Sequence, residues 1–213
     1  MQNHFKQSSK KFLGIFTFSS IALLLVFSIS HTIAQDGKTW LQFEGKSGPG
    51  KGKHIVLVSG DDEYRSEEGM PMLGKLLAEH YGFTCTVLFP IEPETGNIVP
   101  SYQNNIPGLE HLAKADLMIL LTRFRELPDE QTKYFNDFIM AGKPIIGMRT
   151  ATHAFHYEKN KNSPYAKYDW RNKSAGWEGG FGQKILGETW VAHHGEHAKE
   201  GARALIDGPS QLA

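Results

Sequence analysis

Pro144-Ile145-Ile146-Gly147-Met148-Arg149-Thr150-Ala151-Thr152-His153-Ala154-Phe155 reads as a short apolar strand, a tight turn and a helix-compatible segment. In α/β folds a strand-turn-helix of this kind lifts one side chain above the carboxyl edge of a parallel sheet, where such folds often mount a nucleophile. Arg149 holds that place. A guanidinium is a fixed cation and no nucleophile, so the position suits an anion or a polar hydroxylated ligand rather than a covalent acyl intermediate.

Upstream of this stretch the chain alternates apolar runs with helical patterns. His54-Ile55-Val56-Leu57-Val58-Ser59 is continuously apolar, as a parallel strand covered on both faces must be. The spacing of Met70, Leu73, Leu76, Leu77 and His80 predicts an amphipathic helix over 66–81, with Pro71 in its first turn. Residues 83–89 and 116–121 read as the second and third strands, and Pro128-Asp129 opens a helix that runs to Met140 and is closed by Gly142. Residues 144–147 are the fourth. The alternation predicts an α/β fold, a parallel sheet with helices on both faces and right-handed crossovers. Ligands of such sheets sit beyond the carboxyl ends of the strands, where this chain carries Asp61, Asp62 and Glu63, then Glu92, then Arg123 and Arg125, then Arg149 and Thr150.

The amino terminus reads differently. Lys6, Lys10 and Lys11 precede an uncharged apolar run from Ile15 to Ile29, and Thr32-Ile33-Ala34 supplies small residues for cleavage before Gln35, so residues 1–34 are expected to be a secretory signal peptide. The run is short for a membrane span and no cationic stop follows it, so no membrane association is expected after cleavage, and the protein is expected to be exported to the periplasm or beyond. Residues 35–53, rich in Gly and Lys, read as an exposed leader, and 54–213 as one α/β domain.

Cleavage would change the balance from 23 basic against 23 acidic residues to 20 against 23. With its cations dispersed along the chain, a nucleic-acid partner is not expected. Cys85 is the single cysteine, which leaves no intrachain disulfide, and the alternating Phe83-Thr84-Cys85-Thr86-Val87 marks it as a packing residue. No phosphate-cradling glycine motif follows the first strand, since Gly60-Asp61-Asp62 is too acidic for one, and no cofactor is assigned.

Each candidate site residue has two readings. Arg149 with Thr150 is a clamp for an anion or for sugar hydroxyls, or else an internal ion pair with Asp61 or Asp62. Asp61, Asp62 and Glu63 supply a general base and ligand contacts, or else form a solvated turn. His153 and His156 lie three apart, and His193, His194 and His197 follow Trp190. These imidazoles act as acid and base, hold zinc, or are surface groups; neither run fits the His-Glu-x-x-His spacing, and no metal ligands are assigned. Trp177, Phe181 and Trp190, set among glycines, form a stacking platform for a sugar ring or pack an irregular core.

Taken together, the Gly147 to Phe155 run, the Ser59-Gly60-Asp61-Asp62 loop, and the Trp177-Glu178-Gly179-Gly180-Phe181 and Trp190-Val191-Ala192-His193-His194-Gly195 segments resemble the ThuA-like (trehalose utilization) proteins. The resemblance spans residues 53–200. It implies the class I glutamine amidotransferase-like fold, a flavodoxin-like three-layer sandwich, and a link to carbohydrate catabolism. Two departures stand out. Amidotransferases of this fold carry a cysteine where this chain has Arg149, so glutaminase activity is not implied, and many ThuA-like sequences place a histidine there. The family also continues with sheet-forming sequence beyond Ala204-Leu205-Ile206-Asp207, so the resemblance implies a chain cut short at its carboxyl end.

The expectation is therefore an exported protein that binds or acts on a sugar derivative by acid-base chemistry, as a hydrolase, isomerase or lyase without a cysteine nucleophile. His153, His194 and Asp61 are its proton-transfer candidates; Asp62, Arg123, Arg149, Thr150, Trp177 and Glu178 are its ligand-binding candidates. The rivals are a non-catalytic carbohydrate-binding module and a metal-dependent hydrolase. A homo-oligomer is compatible with the sequence.

Overall fold

The computed structural model describes residues 37–193, 195–196, 199–201 and 203. The expected signal peptide, His194 and His197 lie outside the described residues. Five strands, β1 (Trp40–Phe43), β2 (His54–Gly60), β3 (Thr84–Leu88), β4 (Leu117–Thr122) and β5 (Ile145–Gly147), form one sheet in the order β1-β3-β2-β4-β5. Two helices, α1 (Ser66–Tyr81) and α2 (Asp129–Met140), connect them. All neighbours are parallel except β1, which runs antiparallel along the outer edge of β3.

The continuous apolar strands follow from burial on both faces. Ile55 and Leu57 of β2 join Met70 of α1, Cys85, Val87, Ile119 and Leu121 on one side of the sheet. Val56 and Val58 point the other way, into a larger core with Leu88, Met118, Leu120, Phe135 and Phe138 of α2, Phe155, Tyr168 and Phe181. Helices thus cover both faces, as the alternation predicts. Removing a side chain such as Val58 or Leu120 from water contributes about 2 kcal/mol, which is what sets the register of the central strands.

Helix α1 ends at Gly82, whose φ of 80° lets its N–H bond the Ala78 carbonyl at 3.1 Å while the Phe83 N–H reaches Leu77 at 3.3 Å. Pro71 is the sixth residue of α1, not a first-turn residue, so the helix continues through it with one backbone donor missing.

Of the segment read as an exposed leader, residues 37–53 are mostly exposed, but they include a strand that the Gly and Lys content does not suggest. Trp40–Phe43 pairs with β3 from Trp40↔Leu88 to Phe43↔Cys85, with Trp40 packing on one core and Phe43 on the other. The glycines serve close approach: a Cβ at Gly45 would fall on the Gly82 backbone, and the Gly50 N–H bonds Tyr81 at 2.8 Å. An unpaired edge of β3 is thereby covered.

The order of the parallel strands places a switch point at β2 and β4. From β2 the chain moves outward through α1 to β3, then returns across to β4 and on to β5. The crevice beyond the carboxyl ends of β2 and β4 is where an open sheet of this kind receives a ligand.

Candidate functional site

The loop leaving β2 is built around Asp61, which is fully buried. Its Oδ1 accepts the N–H groups of Glu63 and Tyr64, both at 2.7 Å, and its Oδ2 accepts the Thr150 hydroxyl from the turn after β5. Ser66 adds a second knot, its Oγ accepting the Asp61 N–H at 2.9 Å and donating to the Asp61 carbonyl at 3.0 Å. With both oxygens engaged and no exposure, Asp61 is a structural tie between the ends of β2 and β5. Its carboxylate is not presented to a ligand, and Thr150, 4 % exposed, is its partner rather than a ligand clamp.

The loop holds Asp62 and Glu63 outward, where they share one cation. Arg123, leaving β4, meets Asp62 Oδ1 at 3.1 Å and Glu63 Oε1 at 3.1 Å. Its guanidinium carbon also stands 4.4 Å from the centre of the Phe124 ring. Beneath it lies Arg125, fully buried, with Nε donating to the Arg123 carbonyl and Nη1 to the Tyr102 carbonyl, both at 2.8 Å. Burial lowers the Arg125 pKa to about 10, so the guanidinium stays charged at neutral pH.

Segment 123–125 continues β4 as an irregular ladder against 153–156. The Phe124 N–H bonds the His153 carbonyl at 3.1 Å, the Arg125 N–H bonds Ala154 at 2.6 Å, and the His156 N–H returns to Arg125 at 3.0 Å. Phe124 sits in the left-handed region, φ 53°, a conformation that a phenylalanine adopts only where its surroundings impose it. The result is an aromatic cluster at the sheet edge. Around Phe124 stand His153 at 5.1 Å, His156 at 5.6 Å, Trp170 at 6.1 Å and Trp190 at 6.4 Å between ring centres. Trp190 in turn packs on His153 at 5.0 Å, on Trp170 at 4.8 Å and on His193 at 5.6 Å.

His153 is 7 % exposed. Burial first, then the charge of Arg123, pushes its pKa down to about 4 against a smaller opposing pull from Asp61. It is a neutral imidazole at pH 7, with Nδ1 3.2 Å from the Thr152 hydroxyl. Two donors on residues that flank the Phe124 ring have no partner among the described residues, Nε of Arg123 and Nε1 of Trp170, both buried. Unpaired buried donors are costly in isolation and are met by the acceptors of a ligand or by water.

The sequence candidates are thus partly assembled. Arg123, Asp62 and His153 converge; Asp61 and Thr150 lie behind them as support; His194 lies outside the described residues. Arg149 holds the left-handed turn after β5, φ 47°, as a nucleophile would, but its side chain is exposed and its guanidinium stacks over Tyr64 at 4.2 Å rather than pairing with Asp61 or Asp62. Trp177 and Phe181 do not form a platform with Trp190. Phe181 is fully buried against Phe155 and Tyr168, and Trp177 packs on Tyr168 at 5.2 Å under Lys167, with Glu178 exposed next to it. Core packing claims those two aromatics, because the irregular segment 166–186 closes the larger core.

Phe124 and Trp170 are the members that the pattern of residues missed. Phe124 sits in Thr122-Arg123-Phe124-Arg125, and a hydrophobe between two arginines right after a buried strand was its one visible signal. Among the described residues, no group of three His, Cys, Asp or Glu side chains is placed to hold a metal ion. What the arrangement offers chemically is a set of aromatic faces for apolar contact, a cation clamped between two carboxylates, two idle N–H donors and a neutral imidazole. No family model, no curated protein and no solved structure matches this chain.

Proposed function

We propose that the chain is an exported ThuA-like protein with a class I glutamine amidotransferase-like sheet, and that it binds or acts on a sugar derivative at the crevice beyond β2 and β4 without a covalent intermediate. The observation that carries this reading is the cluster around Phe124. A sugar ring presents a C–H face to aromatic rings and oxygens to donors, and the site sets Phe124, Trp170 and Trp190 beside the unpartnered N–H groups of Arg123 and Trp170. Arg123 positions ligand oxygens, with Asp62 and Glu63 holding its fork and accepting ligand hydroxyl protons. Where the ligand is turned over, His153 is the group that moves a proton.

The binding-module reading draws support from His153 itself. An imidazole pushed down to about 4 is a weak base at neutral pH and is better suited to holding a hydroxyl than to abstracting its proton. Calorimetric titration of the purified protein with a panel of mono- and disaccharides tests both. Trp190→Ala is expected to weaken binding about tenfold, the equivalent of one aromatic stacking contact. Loss of turnover with affinity kept in His153→Gln identifies an enzyme. Heat from no saccharide at millimolar concentration, or affinities indifferent to both Trp190→Ala and Arg123→Gln, would remove the sugar reading.

A further inference from the structure

A second concavity lies among residues 157–174, and two of its lining residues, Asp169 and Arg171, meet His156. It is a shallow depression open to solvent, with a volume of about 540 Å3, lined by Lys161, Lys167 and Arg171 together with Ser163, Asn172 and Asp169. Its charge is lopsided. Asp169 is the one acid in the lining, and both of its oxygens are already engaged: Oδ1 accepts the Arg171 N–H at 2.7 Å, and Oδ2 accepts the Tyr157 N–H at 2.6 Å and faces His156 Nδ1 at 3.0 Å. Lys161 makes no ion pair among the described residues, and Lys167 is held only against the Trp177 and Tyr168 rings, at 4.8 and 5.3 Å. Arg171 is itself paired, at 3.7 Å from both Glu158 Oε1 and Asp169 Oδ1, which leaves Lys161 and Lys167 as the cations of the lining without a carboxylate partner among the described residues. A depression so lined attracts an oxyanion.

The concavity is joined to the aromatic cluster through shared groups. Arg171 lies 5.7 Å over the Trp170 ring, and its Nη2 is 3.0 Å from His156 Nδ1, while His156 and Trp170 both pack on Phe124. A ligand whose ring stacks at Phe124 and Trp170 has a cationic recess next to it. We infer that this recess is an oxyanion subsite and that the ligand of the aromatic site is an acidic sugar, one bearing a carboxylate, sulfate or phosphate group that seats between Lys161, Lys167 and Arg171. The inference rests on the sugar reading of the neighbouring site for its second half only.

The test uses the full exported protein and three probes at constant ionic strength: inorganic sulfate, a neutral hexose, and the corresponding uronic acid or hexose sulfate. Sulfate is expected to raise Tm above the chloride control. Lys161→Glu, an exposed side chain whose change leaves the core intact, is expected to abolish that difference, and Lys167→Gln to reduce it. The acidic sugar is expected to bind at least tenfold more tightly than the neutral one, a margin lost in Lys161→Glu. Equal affinity for the two sugars overturns the acidic-ligand assignment while leaving the sugar reading in place. If neither sugar binds, the sugar reading fails separately and sulfate decides the recess: stabilisation that depends on Lys161 upholds it, and a response equal to that of chloride in wild type and variant overturns it.

Discussion

His153 shows how a single residue carries both the site and a measurable signature. In the unfolded chain its imidazole titrates near 6.5, whereas the folded one, buried and facing Arg123, is pushed down to about 4. Above pH 6.5 both states hold it neutral and folding is unaffected. As pH falls from 6.5 towards 4 the unfolded chain takes up a proton that the folded chain refuses, so stability is lost across that window, by about 2–3 kcal/mol. Urea denaturation at pH 7.5 and pH 4.5 is expected to show a smaller loss for His153→Gln than for wild type; parallel losses would mean that the imidazole is not held neutral. His54 is displaced in the same direction by burial and contributes to both curves alike. The sequence marked His153 because a strand and a turn precede it. It did not mark Phe124, whose place depends on a left-handed backbone angle that no residue preference announces for phenylalanine. Asp61 shows the converse: a Gly-Asp-Asp turn signals a loop, but only the Ser66 knot and the reach to Thr150 decide that the carboxylate is interior.

Among the elements, the four parallel strands and both helices were legible because their patterns coincide with burial on two faces or one. The continuous run of β2 and the inward Phe135 and Phe138 of α2 need no tertiary knowledge. β1 was hidden because four residues inside a Gly- and Lys-rich segment acquire strand character only from the free edge of β3. Segment 182–186 was hidden for a related reason. It is a single irregular helical turn that leans on the loop after β5, and its place is set by backbone contact. A Cβ at Gly182 would fall on the Thr152 carbonyl oxygen, next to His153, and also within 2.7 Å of the Glu188 carbonyl oxygen. Backbone cannot yield as a flexible side chain does, so Gly182→Ala is expected to cost about 2–4 kcal/mol. Gly187→Ala provides the comparison, since its φ of 82° is strained for alanine but the space around it is open, and about 1 kcal/mol is expected. Thermal denaturation of the pair checks the order. Equal Tm values would show that the turn does not bear on the Thr152 backbone.

At the scale of the molecule, a domain carrying one cysteine, and so no intrachain disulfide, draws its stability from the two cores that flank the sheet. Cys85 belongs to the α1 side, fully buried in β3 between Phe43 of β1 and the strand β2. Burial pushes its pKa up to about 11, so the thiol stays protonated, and it has no route to solvent without opening the sheet or its cover. Its reactivity therefore reports on the sheet and its cover rather than on a local loop, since β1 or α1 must move before a reagent can reach it. Native protein is expected to show no reaction with an aromatic disulfide reagent at pH 8, and one thiol per chain is expected to react at once in guanidinium chloride. Adding sub-denaturing urea should then expose the thiol in step with global unfolding measured by circular dichroism. Exposure that runs ahead of the dichroism change would show instead that one of these covers opens as a separate unit, and a Phe43→Ala variant that advances the exposure further would identify that unit as β1.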